Sequence, residues 1–259
     1  MLFVHVAAWP GRCGPGSWRP LLEREGSLLA FVWSRREKGS EAVSPVAMVW
    51  PCPLPVDAYA EAGRQAGFPR PACPSCAGPL VFWSGYRRHV RAAGRCRKVF
   101  VPRLRCGSCR VSHALLPAFV LAWRLDVAET VGMVIAEVAG GRCGVRPAAE
   151  RAGVPYTTAR GWVRRFAARA PQTGAGFAAL AVDLGGLALS PPERPGRFAL
   201  AAIGAAFAAA SGLPGWAGLG AWRFASAVSG GRLIAANITS PFLMVGKRRF
   251  MPPVPPLPA

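Results

Sequence analysis

The most specific chemistry in the chain is carried by two Cys-x-x-Cys pairs. Cys73 and Cys76 form the first pair, Cys106 and Cys109 the second, and 29 residues separate them. Four thiolates complete the tetrahedral shell of Zn²⁺, and each Cys-x-x-Cys turn supplies two sulfurs from one tight knuckle. A catalytic zinc keeps one coordination position open, so four cysteines predict a structural zinc ion. In so short a segment, metal binding of about 10–16 kcal/mol provides most of the folding energy.

Other cysteines and one histidine leave alternatives to this ligand set. Cys96 and His113 lie near the pairs in sequence, and either could replace one cysteine as a ligand. Cys13, Cys52 and Cys143 have no partner at metal-ligand spacing and are expected to be ordinary thiols. The paired spacing and the lack of a convincing secretory signal favour a reducing compartment over a disulfide framework. The expected location is therefore cytoplasmic and, for a DNA-binding chain, nucleoid-associated.

The residues between the two pairs predict the strands of a zinc ribbon. Residues 80–86 and 98–105 are rich in apolar β-formers, which predicts two short strands. The basic run 87–91 is expected to lie between them, and Pro102 predicts that the second strand is an edge strand. We therefore expect a small four-cysteine zinc ribbon over residues 70–115.

A helix is predicted to begin after Asp126. Asp126 can serve as its N-cap, and Glu129 stands three residues later, as in a capping box. The Gly140-Gly141 pair is expected to end the helix. One face of this helix is apolar at helical spacing, through Val127, Val131, Val134, Ile135 and Val138.

Two further helices and the turn between them predict a helix-turn-helix within residues 116–170. The first is expected over 147–152, the turn at Gly153, and the second helix from about 156 to 170. The small or apolar residues expected where the helices cross are Ala148, Ala149, Ala152, Val154, Ala159, Trp162 and Val163. In helix-turn-helix proteins the second helix lies in the major groove, where arginine binds guanine or phosphate. A helical hairpin with a basic, solvated face is the alternative.

The positive charge coincides with these motifs. Residues 70–170 contain 18 Arg and Lys against four acidic residues, a balance of +14 out of a total of +20. Residues 1–69 balance to +1, and residues 171–259 to +5. A concentrated basic surface attracts polyphosphate and raises its encounter rate. Scarce acidic residues and isolated histidines argue against an enzyme, and no catalytic residue is predicted.

The motifs also resemble a known family. Four short runs resemble the N-terminal zinc ribbon of insertion-sequence transposases. They are Cys-Pro-x-Cys at 73–76, Trp83-x-Gly85-Tyr86-x-Arg88, Arg103-x-Arg105-Cys106-x-x-Cys109, and Leu116-Pro117 where the chain leaves the ribbon. The run from Gly153-Val154 to Trp162 resembles the helix-turn-helix that follows such ribbons, although Pro155 stands where Ser or Thr is usual. The same order also resembles an uncharacterised family of transposon-associated bacterial proteins.

What the resemblance implies is DNA recognition without strand transfer. It covers about residues 70–170. A transposase catalytic domain needs three carboxylates for two metal ions, and after residue 150 only Asp183 and Glu193 are acidic.

The flanking segments carry no comparable motif. Residues 1–69 are expected to be a largely disordered extension with one short helix at 57–65. Residues 171–259 form an Ala/Gly/Pro-rich, partly helical segment with a Pro-rich tail. Its uncharged run 198–222 is long enough for a bilayer, but Pro214 and neighbouring glycines interrupt it. A buried or loosely packed helix is therefore expected there, and not a membrane span.

The predicted fold class is α+β, a zinc ribbon followed by an all-α helix-turn-helix domain. The predicted function is double-stranded DNA binding with structural Zn²⁺ and no small-molecule substrate, as a monomer or a homodimer. The predicted DNA contacts are Tyr156, Thr157, Arg160, Arg164 and Arg165 on the helix, and Arg87, Arg88, Arg103 and Arg105 on the ribbon. The alternatives are a ribbon that binds a protein or RNA, or a membrane-anchored DNA-binding regulator.

Overall fold

A four-stranded mixed sheet underlies the cysteine-bearing part of the chain. The computed structural model describes residues 47–186, 189–190, 194–216, 218–234, 244–245 and 248–249. The strands are β1 (Ala47–Trp50), β2 (Leu80–Ala92), β3 (Arg95–Cys106) and β4 (Ser112–Pro117). Their order is β1-β4-β3-β2, with β1 parallel to β4 and the other neighbours antiparallel.

Strands β2 and β3 form one long hairpin. Pairing runs from Leu80 opposite Cys106 to Ala92 opposite Arg95. The two connecting residues, Ala93 and Gly94, both have positive φ, 46° and 75°. Positive φ at both positions gives a turn whose twist matches that of paired strands, so pairing can continue to the tip. The strands are therefore longer than predicted, and the basic run 87–91 lies inside β2.

Pro102 does not mark an edge strand, because β3 lies between β2 and β4. Strand β4 pairs with residues 103–105 of β3 only. Pro102 therefore immediately precedes the part of β3 that has partners on both sides.

The segment from residue 47 onwards belongs to the core, contrary to the expected extension up to residue 69. It contains β1, helix α1 (Val56–Ala62) and a 3-10 turn over Gly63–Gln65. Trp50 and Tyr59 are buried, and the Tyr59 hydroxyl donates to the carbonyl of Phe100 at 2.9 Å. The predictions for residues 1–46 and for the Pro-rich tail lie outside the described residues.

Six more helices follow the sheet within the described residues. They are α2 (Ala128–Ala139), α3 (Val145–Ala152), α4 (Tyr156–Ala167), α5 (Ala170–Asp183), α6 (Pro195–Ala210) and α7 (Ala221–Val228). The helix predicted over 156–170 thus ends at Ala167, and Ala170 begins a new one with Pro171 in its first turn. A two-stranded ladder joins Met244–Val245 to Arg248–Arg249. The fold is mixed α+β, as predicted at that level.

Asp126 is not the N-cap of α2. The N-cap is Val127, without a side-chain hydrogen bond, whereas Asp126 is buried and pairs with Arg91. Arg91 Nε lies 2.6 Å from Asp126 Oδ1, and the other guanidinium nitrogen lies 3.0 Å from Oδ2. The Arg91 N–H also donates to the Leu125 carbonyl, and the Arg91 carbonyl accepts from Val127. Asp126 therefore forms a bidentate ion pair with Arg91 of the hairpin and does not cap α2.

Glu129 likewise makes a tertiary contact, an ion pair with Arg223 of α7. Gly140 ends α2, as predicted.

Helices α5–α7 share one hydrophobic core with the sheet and with α2. Helix α7 packs on α2 and β1, and α5 packs along α6. At Gly132 of α2, an added Cβ would lie 2.0 Å from the Trp222 ring of α7. Helices α5–α7 therefore complete the core.

The uncharged run 198–222 falls on α6 and on the start of α7, with the glycine-rich turn between them. Among the residues that the structure describes, no helix has both the length and the apolar character to cross a bilayer.

We predict opposite effects of two helical glycine substitutions. Gly132→Ala should lower the free energy of unfolding by about 1–3 kcal/mol, because the methyl group overlaps the Trp222 ring. Gly204→Ala, at an exposed position of α6, meets no atom within 4 Å and should raise it by up to about 1 kcal/mol through helix propensity. Chemical denaturation of both full-length variants gives the comparison. Equal free energies of unfolding for Gly132→Ala and Gly204→Ala would contradict close packing of α7 on α2.

Candidate functional site

Two knuckles of matching shape bring the four cysteines together. The N–H of Cys73 donates to the carbonyl of Gly78, and the N–H of Cys106 donates to that of Val111. In each loop the hydrogen bond thus joins residues five positions apart. The residue after the second cysteine has positive φ in both, 59° at Ala77 and 63° at Arg110. The sequence thus builds the same tight turn twice.

Gly78 lets the two knuckles approach each other. A Cβ at this position would lie 2.5 Å from the Ser108 hydroxyl and 3.2 Å from Cys106 Sγ. No side chain fits there without moving the second knuckle.

The sulfur geometry fits a tetrahedral metal ion. Cys73 Sγ lies 3.6 Å from Cys109 Sγ, and Cys76 Sγ lies 3.4 Å from Cys106 Sγ. All four sulfurs lie within 4.8 Å of one another. A tetrahedron with Zn–S bonds of about 2.3 Å has sulfur–sulfur edges of about 3.8 Å. The four cysteines could therefore hold a metal ion with little adjustment.

Hydrogen bonds around the sulfurs give Cys106 and Cys109 different pKa values. The backbone N–H of Cys109 donates to Cys106 Sγ at 3.5 Å and lowers the pKa of Cys106 to about 6. The N–H of Val111 lowers the pKa of Cys109, but burial and thiol–thiol hydrogen bonds outweigh it and raise that pKa to about 12. A bound cation would displace the protons that the thiols share, because metal ligation requires thiolates.

His113 and Cys96 can now be placed. His113 is fully buried on β4, and its Nε2 lies 3.5 Å from Cys73 Sγ, outside the four-sulfur group. An imidazole at this distance can orient a ligating sulfur without binding the metal. Cys96 lies ten residues along β3 from Cys106, roughly 33 Å away at strand rise. Cys96 therefore cannot join the cluster.

Helices α3 and α4 meet at a left-handed turn. Gly153 adopts φ 63° and ψ 35°, and its N–H donates to the Glu150 carbonyl. Ala148, Ala149, Ala159 and Trp162 are buried where the helices pack, as the sequence predicted.

The predicted outer residues of α4 do face solvent. Tyr156, Thr157, Arg160 and Arg164 are exposed, and Arg165 is half-buried. Arg146 of α3 lies over the Tyr156 ring at 5.6 Å, a neighbour that the spacing did not indicate. No acidic residue occurs between Glu150 and Asp183, so α4 has no carboxylate of its own.

Several arginines of the basic region serve the fold. Arg88 donates to the backbone carbonyls of Leu121 and Arg124, and burial lowers the pKa of its guanidinium. Arg151 of α3 pairs with Glu137 of α2, with nitrogen–oxygen distances of 2.7 and 3.2 Å. Arg88 was predicted to contact DNA, and one of its terminal nitrogens donates to the chain itself.

The other predicted ribbon arginines differ in exposure. Arg87 is exposed on β2, and Arg103 is exposed on β3 with a 3.2 Å hydrogen bond to Ser112. Arg105 is half-buried, and its guanidinium lies 4.6 Å from the centre of the Trp83 ring.

One family comparison gave a match. Residues 73–152, about a third of the chain, match the model of a family described as Domain of unknown function (DUF6431). The matched range begins at the first ligand cysteine and ends with α3, before Gly153 and α4. Its description states no function and gives no link to transposases. No curated protein and no solved structure matched the chain.

We predict that the full chain binds about one equivalent of zinc through the four cysteines. Cys106→Ser should reduce the metal content below about half an equivalent, because three thiolates leave the shell incomplete. Cys96→Ser should leave it unchanged and serves as the matched control. Metal analysis of the purified proteins gives the content, and circular dichroism after strong chelation should show loss of ordered structure. Equal metal content in both variants would contradict the assignment.

Proposed function

We propose that this protein binds double-stranded DNA, with a structural zinc ion in the ribbon and α4 as the helix that enters the major groove. The ribbon comprises the two knuckles, the β2–β3 hairpin and β4. Helices α3 and α4 form the helix-turn-helix. The role is recognition without catalysis.

The observation that carries the proposal is the outer face of α4. Four polar or aromatic side chains of one helix, Tyr156, Thr157, Arg160 and Arg164, are exposed together while Trp162 and Phe166 anchor its inner face. The preceding turn is left-handed at Gly153, and the turn of a helix-turn-helix often contains glycine. Arg160 and Arg164 are one turn apart and face the same side, so their guanidinium groups can reach successive base pairs.

Among the described residues, no recorded ion pair includes an arginine of α4. In the matched region the carboxylates of Asp126, Glu129 and Glu137 are each paired with an arginine. The α4 arginines are not part of these pairs. Burial, and then the charge of Arg165, lower the pKa of Arg124. Cations held close together in this way favour a polyanionic partner.

The ribbon supports binding in a different way from α4. Arg87 and Arg103 are exposed on paired strands, where they can contact phosphates whatever the base sequence. Zinc contributes by fixing the knuckles from which both strands extend. The proposed relation to transposases is limited to such DNA recognition, since after residue 150 the chain has only two acidic residues.

We predict that Arg160→Ala and Arg87→Ala weaken binding differently. The preferred site would first be obtained by enriching random duplexes on the zinc-loaded full chain. Arg160→Ala should cost about 1–3 kcal/mol on that site and relax preference at one or two base pairs. Arg87→Ala should weaken specific and scrambled duplexes alike and flatten the slope of log K against log salt by roughly one unit.

The measurement is a titration of both variants on both duplexes at several salt concentrations. Equal losses for Arg160→Ala on the two duplexes would reduce α4 to a basic surface. If no duplex is enriched and the chain binds RNA or a protein through the ribbon instead, the DNA proposal fails.

A further inference from the structure

A small cleft opens on the sheet face that the residues after β4 cover. It has a volume of about 270 Å³, and its lining includes Tyr86, Arg103, Trp123 and Arg232. These residues come from β2, β3, the segment before α2 and the segment after α7. Two aromatic rings and two guanidinium groups thus meet at one place, although Tyr86 and Arg232 lie 146 positions apart in the sequence.

Both rings of the cleft are accessible. Trp123 is 70% exposed and Tyr86 is 41% exposed, which is unusual for aromatic side chains that border a core. The Arg232 guanidinium lies 5.4 Å from the centre of the Trp123 ring. This contact leaves much of the Trp123 ring open to solvent.

Trp123 is held in a backbone conformation that it does not favour. Its φ is 56°, in the left-handed region where a bulky residue is an outlier. Such conformations persist where the surrounding structure imposes them, and they occur often at binding sites. The flanking contacts here are the N–H of Ala122, which donates to the Gly231 carbonyl, and the carbonyl of Arg124, which accepts from Arg88.

Arg103 and Arg232 are the cations that line the cleft, and neither is in an ion pair recorded among the described residues. Nε of Arg232 is shielded from solvent and has no hydrogen-bond acceptor there. Arg124 does not line the cleft, but it follows Trp123 in the chain, and its Nε likewise has no acceptor among the described residues. Burial, and then the charge of Arg165 on α4, lower the pKa of Arg124, so a further cation lies between the chain next to the cleft and α4.

We propose that this cleft binds an unpaired nucleotide of a single-stranded segment, with the base against Trp123 or Tyr86 and the phosphate against Arg103 and Arg232. The volume is below that of pockets for drug-sized ligands and suits one base. Stacking on aromatic rings beside arginines is how proteins hold single strands without reading sequence. The open site would leave a free nucleotide poorly covered, whereas a strand held elsewhere on the protein gains from effective concentration.

The test uses a fluorescent oligodeoxythymidylate of about six nucleotides, a length within the site sizes of such proteins. Wild type should bind it, and Trp123→Asn should weaken binding about 5- to 150-fold, the loss expected for one base–aromatic stack. Asparagine tolerates the left-handed conformation, so this variant should remain folded. Its zinc content and unfolding midpoint are measured in parallel. Trp123→Phe keeps a ring and should retain most of the affinity.

Trp83→Ala is the matched control. Trp83 is also an exposed tryptophan beside an arginine, but it does not line the cleft. Its removal should change oligonucleotide binding less than about twofold, well below the effect of one stack. Unchanged affinity in a folded Trp123→Asn variant, or an equal loss in Trp83→Ala, would overturn the proposal. Competition by thymidine monophosphate as strong as by the oligonucleotide would also overturn it, since the site would then accept a free nucleotide.

This outcome is independent of the duplex proposal. Trp123→Asn should leave affinity for a blunt duplex unchanged, and Arg160→Ala should leave affinity for the oligonucleotide unchanged. Failure of α4 to read duplex sequence would therefore not alter the result for the cleft.

Discussion

The approach of four sulfur atoms to within 4.8 Å of one another determines the course of the chain from Cys73 to β4. Two knuckles with the same backbone hydrogen bond must face each other, and Gly78 removes the side chain that would keep them apart. Leu80 and Cys106 then stand opposite each other, which sets the register of the hairpin. A metal ion held by the four cysteines would couple its binding energy to this register, because ligation requires the thiolates at these positions.

From this hairpin, arginines connect the sheet to the helices. Arg91 joins β2 to the start of α2 through Asp126, and Arg88 holds the carbonyls of Leu121 and Arg124. Arg223 extends the connection from α7 to Glu129. These three arginines thus serve the fold, and the proposed nucleic-acid contacts belong to arginines outside these interactions. The net charge of +20 therefore overstates the positive charge that is free to contact a partner.

Local features of the sequence were predicted well and tertiary ones were not. The cysteine cluster, the left-handed Gly153 and the buried face of α4 follow from spacing within a few residues or from metal-ligand chemistry. Asp126 was predicted as a cap because its partner, 35 residues earlier, cannot be recognised in the sequence. The length of the hairpin was underestimated because a charged run obscured strand continuity that the turn at 93–94 makes favourable.

The cleft could not have been predicted at all, because Trp123 and Arg232 meet only when α7 has packed on β1. A buried or loosely packed helix was expected within residues 198–222, and the sequence did not decide between the two. The buried Ala199, Ala202 and Ala206 of α6 have helical spacing, but exposed positions of the same helix are alanine as well, so no apolar face can be recognised.

The central claim, that α4 lies against duplex DNA, is tested most directly by arginine-specific chemical modification with and without bound duplex, read out residue by residue by mass spectrometry. The zinc-loaded full chain and its enriched duplex are the sample. Arg160 and Arg164 should lose reactivity in the complex, while Arg197, exposed on α6, should keep it. Full reactivity of Arg160 and Arg164 in a saturated complex, or protection centred on Arg197, would contradict the account.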